Sequence, residues 1–341
     1  MAEKRNSPER SNHRRLPRRR VLAALAMATA MPLVWPAGPA RAQQVDMLTI
    51  VVPFPPGGST DAIARLLGEE LRGKYAKTVI VENKPGGGGR IGTVSVKDSA
   101  PDGKTALIVP AVGFEIYPHV YKSLSYSIKD FATVAQLGVA PMVYSVGPKV
   151  PADVKTFPDY LKWVKGHQDN AFYATPGAGS LAHFLGVMVS RGADVKLDPV
   201  HYSGDAPQAG ALLSGEVAAS ASVIGGIIAH ARKGTARILA ATGAERSSLA
   251  PDVPTFKELG FDIDGNLALD LFMPAGTPGE NVDKLSEAVK GALDAPKIQE
   301  AMKTFGFEPA YLPPAELASD LDARLKRWGP IVEASGFKAD E

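Results

Sequence analysis

Two glycine-rich turns hold the residues best suited to chemistry in this chain. One is Phe54-Pro55-Pro56-Gly57-Gly58-Ser59-Thr60-Asp61, after Val51-Val52; the other is Asn83-Lys84-Pro85-Gly86-Gly87-Gly88-Gly89, after Val81-Glu82. A turn of this kind between a strand and a helix aims backbone N–H groups and a helix N-terminus at one point, which favours an anion. Two of them in one sheet can form a floor for a carboxylate or a phosphate. A third, Thr175-Pro176-Gly177-Ala178-Gly179-Ser180, follows further along the chain.

The elements that must position these turns alternate between β-branched runs and amphipathic stretches, the pattern of open α/β sheets. A strand is expected over 48–52. Ile63, Leu66, Leu67 and Leu71 then recur at helical spacing, with Ser59 or Thr60 as N-cap and Asp61 where the helix dipole favours negative charge. Strands over 78–81 and 106–109 flank a helix over 91–98. A second block after Pro148 and Pro151 repeats the pattern: helices over 156–165 and 207–213, strands over 171–174, 200–202, 217–223 and 238–242, and a helix through His183, Phe184 and Met188. The apolar segments 134–146 and 266–273 read as two strands crossing between the blocks, and helices over 282–293, 297–305 and 314–328 return to the first. The expectation is two α/β lobes, 43–142 with 267–341 and 143–266, joined by a hinge of two crossing strands. Ligands in such sheets bind at the carboxyl ends of the strands, where the glycine turns are.

Other motifs carry less. Gly87-x-Gly89-x-x-Gly92 has the letters of a dinucleotide fingerprint, but Lys84-Pro85 separates strand from glycines and lengthens the turn. Gly103-Lys104-Thr105 would end a P-loop whose first glycine falls on Asp98. Ser180 is not in a Gly-x-Ser-x-Gly elbow, and the six histidines, 13, 119, 167, 183, 201 and 230, show no metal-ligand pairing. His183 reads equally as a helix-start residue at a cleft or as a half-buried packing residue. Asp61 and Glu82 read better as a helix-start acid and a strand end than as a catalytic pair. No cofactor or metal is expected.

Residues 1–42 read as an export signal: nine Lys or Arg against Glu3 and Glu9, an apolar run over 21–35 broken by Pro32, and the cleavage pattern Ala40-Arg41-Ala42 before Gln43. Arg18-Arg19-Arg20-Val21-Leu22 resembles a twin-arginine motif, with Pro17 where Ser or Thr is usual; the general secretory route is the alternative. The whole chain holds 38 basic and 36 acidic residues, so removing this segment leaves a net charge of −5 and no basic face for nucleic acid. With no cysteine there are no disulfides, thiolate metal sites or Cys nucleophile. The core alone must hold an exported chain of about 300 residues, enough for two domains.

At these residues the chain resembles the Bug family of periplasmic solute-binding proteins, receptors of tripartite tricarboxylate transporters. The marks are the first turn with its preceding valines, Val81-Glu82-Asn83-Lys84-Pro85-Gly86, Ala100-Pro101-Asp102-Gly103, Pro251-Asp252-Val253-Pro254-Thr255 and Pro274-Ala275-Gly276-Thr277-Pro278. The resemblance spans 50–328. It implies a type II periplasmic-binding-protein fold of two lobes that close on a ligand, and no cofactor. In the family, backbone and hydroxyl groups of the first turn hold one carboxylate with ordered waters, a role that maps here onto Phe54, Gly57, Gly58, Ser59, Thr60 and Asp61. It further implies that 111–114, 175–183 (with Thr175, Gly179, Ser180 and His183) and 202–206 (with Tyr202) line the rest of the cleft.

The chain departs from its relatives twice. Ser222 stands, by register, where relatives often carry an Asp that could receive a ligand amine, so a neutral-tailed carboxylate is expected over a cationic amino acid. Phe114 stands where many relatives have a small polar residue; it either lines an apolar or aromatic ligand or packs beneath the cleft. The expected function is periplasmic capture of a small organic carboxylate, by a monomer, for membrane permease subunits. The alternatives are a module feeding a sensor kinase and an exported enzyme.

Overall fold

Two sheets organise the computed structural model, which describes residues 44–339; the export-signal reading of 1–42 lies outside these residues. In the first sheet β1 (Val45–Val52) leads to helix α1 (Ser59–Leu71), β2 (Ala76–Asn83), helix α2 (Arg90–Lys97) and β3 (Thr105–Pro110), with β1 parallel to both β2 and β3. Of the stripe expected on α1, Ile63, Leu67 and Leu71 are buried and Leu66 is half-buried; Ala64 is buried beside them, and Gly68 lets the helix approach Val79 of β2. Two short helices, α3 (Val112–Glu115) and α4 (Tyr117–Val120), precede β4 (Phe131–Ala140).

Pro141 ends β4, and β5 (Met142–Val146) belongs to the other sheet. The segment 134–146, expected as one crossing strand, is therefore two strands, because a residue without an N–H cannot extend a ladder. The second sheet has the order β7-β6-β8-β5-β9. It contains helix α5 (Phe157–Lys165), β6 (Phe172–Thr175), helix α6 (Leu181–Gly192), β7 (Asp198–His201), helix α7 (Asp205–Ser214), β8 (Ala219–Val223), helix α8 (Ile228–Arg232) and β9 (Arg237–Ala241). β6 is parallel to β7 and β8, so their carboxyl ends share one edge.

The chain returns through 242–266, and β10 (Leu267–Pro274) lies wholly in the first sheet, antiparallel to β3 and β4. Helices α9 (Gly279–Leu293) and α10 (Pro296–Thr304), strand β11 (Glu308–Leu312) and helix α11 (Pro314–Ser335) follow. β11 has no counterpart in the sequence reading: it is a five-residue edge strand with Pro309 in it and no alternating pattern. Gly138 permits it, since a Cβ there would lie 2.5 Å from the Glu308 carbonyl oxygen. The two crossings are tied together at Thr242, whose N–H donates to Met142 O at 2.8 Å and whose hydroxyl donates to Asn266 Oδ1 at 2.6 Å. The α/β two-lobed architecture expected from the sequence is the one observed.

Helix α11 spans both lobes. Leu317 and Leu321 pack with Phe114 and Phe272 behind the first sheet, while Trp328 and Val332 enter the second lobe's core beside Tyr173 and Phe184. Between these pairs Arg324 sits among Glu115 and Asp270, each at 3.3 Å, and Asp320 at 2.8 Å. Burial pushes both Glu115 and Asp270 up to about 7, against the pull of Arg324.

The folded state therefore binds more protons than the unfolded chain from the ordinary carboxylate range up to about 7, and stability falls as pH rises across that window. Arg324→Met should cost about 3–5 kcal/mol near pH 8, where it strands two buried acids, and clearly less near pH 5, where both keep their protons. Urea unfolding at the two pH values measures the difference; an equal cost at both would contradict this reading.

Candidate functional site

A cavity of about 290 Å³ opens where the two sheets face each other. The first lobe contributes Phe54, from the turn after β1, Pro110 and Val112 at the end of β3, and Tyr117 and Tyr121 around α4; the second contributes Pro176, Ala178, Gly179, Ser180 and Leu181, after β6. Met142 and Leu267, beside the two crossings, form its base with Val223. The wall is mostly apolar, and among the described residues no Lys or Arg lies on it.

The first turn is held by a network that the sequence did not reveal. Asp61 accepts hydrogen bonds from Gly57 N at 2.9 Å, Asn83 Nδ2 at 2.9 Å and Arg65 Nε at 3.0 Å. Asn83 also donates to Phe54 O at 3.1 Å, so one side chain of the second motif fixes both ends of the first. Burial opposes the charge on Asp61, yet the bonds from Arg65, Gly57 and Asn83 outweigh it and hold the carboxyl below its ordinary range. The helix begins at Ser59 with Gly58 in the cap position and no side-chain cap, so neither Ser59 nor Thr60 caps it as expected. Asp61 is instead the third helical residue, and its carboxylate reaches back to the Gly57 N–H.

Gly57 and Gly58 are exposed, Ser59 is half-buried, and Thr60 and Asp61 are buried. The first N–H groups of α1 have no intrahelical partner by position and carry the positive end of its dipole. Asp61, spent on Gly57, Asn83 and Arg65, organises the turn rather than offering a ligand contact. Of the first-turn residues only Phe54 is on the cavity wall itself.

The second turn lies against aromatic side chains. Gly86, Gly87, Gly88 and Gly89 all have positive φ, from 58° to 132°, which only glycine adopts freely. A Cβ on Gly88 would lie 2.8 Å from Tyr117 Oη, and one on Gly89 3.3 Å from Phe54 Cζ. Tyr117 donates to Gly88 O at 3.0 Å, and the Arg90 guanidinium stacks 4.1 Å from the Tyr121 ring centroid. The glycines thus let the backbone lie against the aromatic side chains that wall the cavity.

In the second lobe Ser180 caps α6: its Oγ accepts from His183 N at 3.2 Å and donates to Gly177 O at 2.7 Å. Gly179 N donates to His183 Nδ1 at 3.1 Å, which puts that ring's proton on Nε2. Burial, with His201 adjacent, depresses His183 to about 4, so it is neutral at physiological pH. Gly179 and Ser180 are on the cavity wall; His183, Thr175, Tyr202 and Ser222 are not. Thr175 Oγ1 lies 2.7 Å from His201 Nδ1, and Tyr202 donates to Glu216 at 2.8 Å. Ser222 is buried next to Val223 but, by strand alternation, on the other face of β8; its hydroxyl has no partner.

Phe114 is a correction. It is 3 % exposed and packs against Phe272, Phe131 and Tyr126 at centroid distances of 4.6, 5.2 and 5.6 Å, so it supports the wall from behind and does not line the ligand space. Its neighbours Val112 and Tyr117 take the wall position, because the chain turns into a single helical turn at 112. Tyr117, Tyr121, Met142 and Leu267 were missed for want of any motif. Among the described residues no group of three or more His, Asp or Glu is placed to hold a metal ion.

This geometry has known counterparts. Residues 63–337 match the tripartite tricarboxylate transporter family receptor. The chain belongs to this receptor family. It is 31% identical to Protein BugT of Bordetella pertussis over 298 residues, 85% of this chain and 90% of that one, and 32% identical to a UPF0065 protein of Cupriavidus necator over 92% and 96%. Among solved structures, the periplasmic binding protein BugD superposes with a TM-score of 0.70 at 30% identity, covering 86% of this chain and 99% of that one. MatC of Rhodopseudomonas palustris, with bound malate, gives 0.69 at 29% over 84% and 99%, and an adipate-bound R. palustris protein gives 0.74 at 26% over 89% and 99%. The receptor-family match takes in both lobes and most of the cavity wall; the first turn lies just ahead of it.

In this receptor, Asn83→Leu should loosen the first turn without touching the core. Losing its bonds to Asp61 and Phe54 should cost about 1–3 kcal/mol, read by urea unfolding, and raise amide hydrogen exchange at Gly57. Unchanged exchange there would show that the turn holds itself.

Proposed function

We propose that this protein is a periplasmic receptor that captures one small organic carboxylate between its lobes and delivers it to the membrane permease subunits of a tripartite transporter. The observation that carries the reading is the locked first turn beside an interlobe cavity: Phe54 is on the wall, and the unpaired N–H groups at the start of α1 follow it in the same turn. A carboxylate held by Gly58, Ser59 and Thr60 N–H groups and the Ser59 hydroxyl needs no cation, and the cavity wall offers none. Membership of the receptor family, and neighbours solved with malate and adipate, support the ligand class.

The protein carries out no bond-making step in this reading. Ser180 is occupied as a helix cap and His183 is a neutral packing residue, so neither has a reacting partner. Ligand binding works by favouring the closed arrangement of the lobes over the open one. Export by residues 1–42 delivers the chain to the periplasm, and among the described residues no helix is long and apolar enough to cross a membrane. Among the described residues Asp205 is the one acidic group on the wall, so a ligand with a neutral tail is favoured over one carrying a second carboxylate; Ser222, off the wall, takes no part in that choice.

A panel of mono-, di-, tri- and aromatic carboxylates tests the proposal by thermal shift. At about 100 times Kd a true ligand should stabilise the protein by about 2.7 kcal/mol, and Ser59→Trp should abolish that shift while leaving the unliganded melting temperature in place. A panel without any shift would sink the carboxylate assignment; a ligand that still bound Ser59→Trp would sink the first-turn assignment.

A further inference from the structure

The chain beyond α11 returns to the cavity. Gly336, at φ +69°, reverses its direction, and Phe337 N donates to Ser335 Oγ at 3.1 Å. Phe337 and Ala339 then lie on the cavity wall. The segment is anchored at both ends: the Phe337 ring meets His183 edge-on at 5.2 Å and Phe184 at 6.2 Å in the second lobe, and Ala339 N donates to Val120 O at 3.2 Å in the first. The place for the ring is built into the third glycine turn. A Cβ on Gly179 would come within 2.6 Å of Phe337 Cε1.

We propose that Phe337, held by Gly179 and His183, is the end wall of the ligand cavity and sets the length of the apolar tail that the receptor accepts. This rests on the carboxylate reading above and deepens it. A carboxylate anchored at the first turn extends its tail across a space bounded by Phe54, Val112 and Tyr117, and Phe337 closes part of that space with a flat apolar face. The polar side chains on the wall are few: Tyr117 is spent on Gly88, the Tyr121 ring stacks on Arg90, Ser180 is spent on its helix, and Asp205 would repel a second carboxylate. A tail that meets Phe337 gains by desolvation with each methylene until it reaches the ring, and is rejected beyond that length. The segment touches both lobes, through His183 and Phe184 on one side and Val120 on the other.

The test measures Kd by calorimetry for linear saturated monocarboxylates, from butyrate to decanoate, with the full chain and with Phe337→Ala, Phe337→Leu and Phe337→Trp. Wild type should show an affinity that rises with length and then drops. Phe337→Ala should move that drop to a longer acid, with about a tenfold gain for the first acid wild type rejects, and Phe337→Trp should move it to a shorter one. Phe337→Leu, which keeps an apolar plug, decides the matter if the alanine variant unfolds: it should shift the drop in the alanine direction by a smaller amount. A drop that stays at the same length in the folded variants overturns the end-wall assignment and leaves the carboxylate reading intact. Binding confined to dicarboxylates also overturns it while sparing the receptor reading, and binding to neither series overturns both.

Discussion

The Arg324 guanidinium lies among Glu115, Asp270 and Asp320, and the first two are almost sealed from water. Paired charges at this depth add little net stability, but each is costly without the others, so the arrangement has few alternatives. Glu115 belongs to the short helix behind the cavity wall, Asp270 to the central strand of the first sheet, and Arg324 to the helix that runs on into the second lobe. Holding those three elements together fixes where Val112 and Tyr117 face. It also fixes where Trp328 enters the second core and where Phe337 re-emerges at the cleft.

A second constraint concerns how closely backbone can approach aromatic rings. Glycines at 88, 89 and 179 each stand where a Cβ would crowd the ring of Tyr117, Phe54 or Phe337. All three glycines have positive φ, so the turn geometry and the close contact call for the same residue. The second and third glycine-rich turns therefore make room for the apolar walls.

The sequence reading was most accurate where local periodicity and packing agree. Most of the stripe of α1, the helix after Thr156 and the alternation of strands and helices in both lobes are short-range patterns, and they folded as expected. It failed where neighbours in space are distant in sequence. Nothing near Asn83 signals that its amide will bridge Asp61 and Phe54, and nothing in Phe114 separates a cleft ring from a core ring until Phe131 and Phe272 pack around it. β11 escaped notice because its partner is β4, far upstream, and not any pattern of its own.

By itself, then, the sequence determined the two-lobed α/β class and the family, because these follow from periodicity, turn chemistry and motif within short windows. The tertiary structure alone decided which side chains form the cavity: Tyr117 and Tyr121 instead of Phe114, Val223 instead of Ser222, and Phe337 from the far end of the chain. Which face of a strand or helix meets the cleft is settled by the packing of the whole molecule, through contacts such as Arg324 with Glu115 and Asp270, and a linear motif does not carry that information.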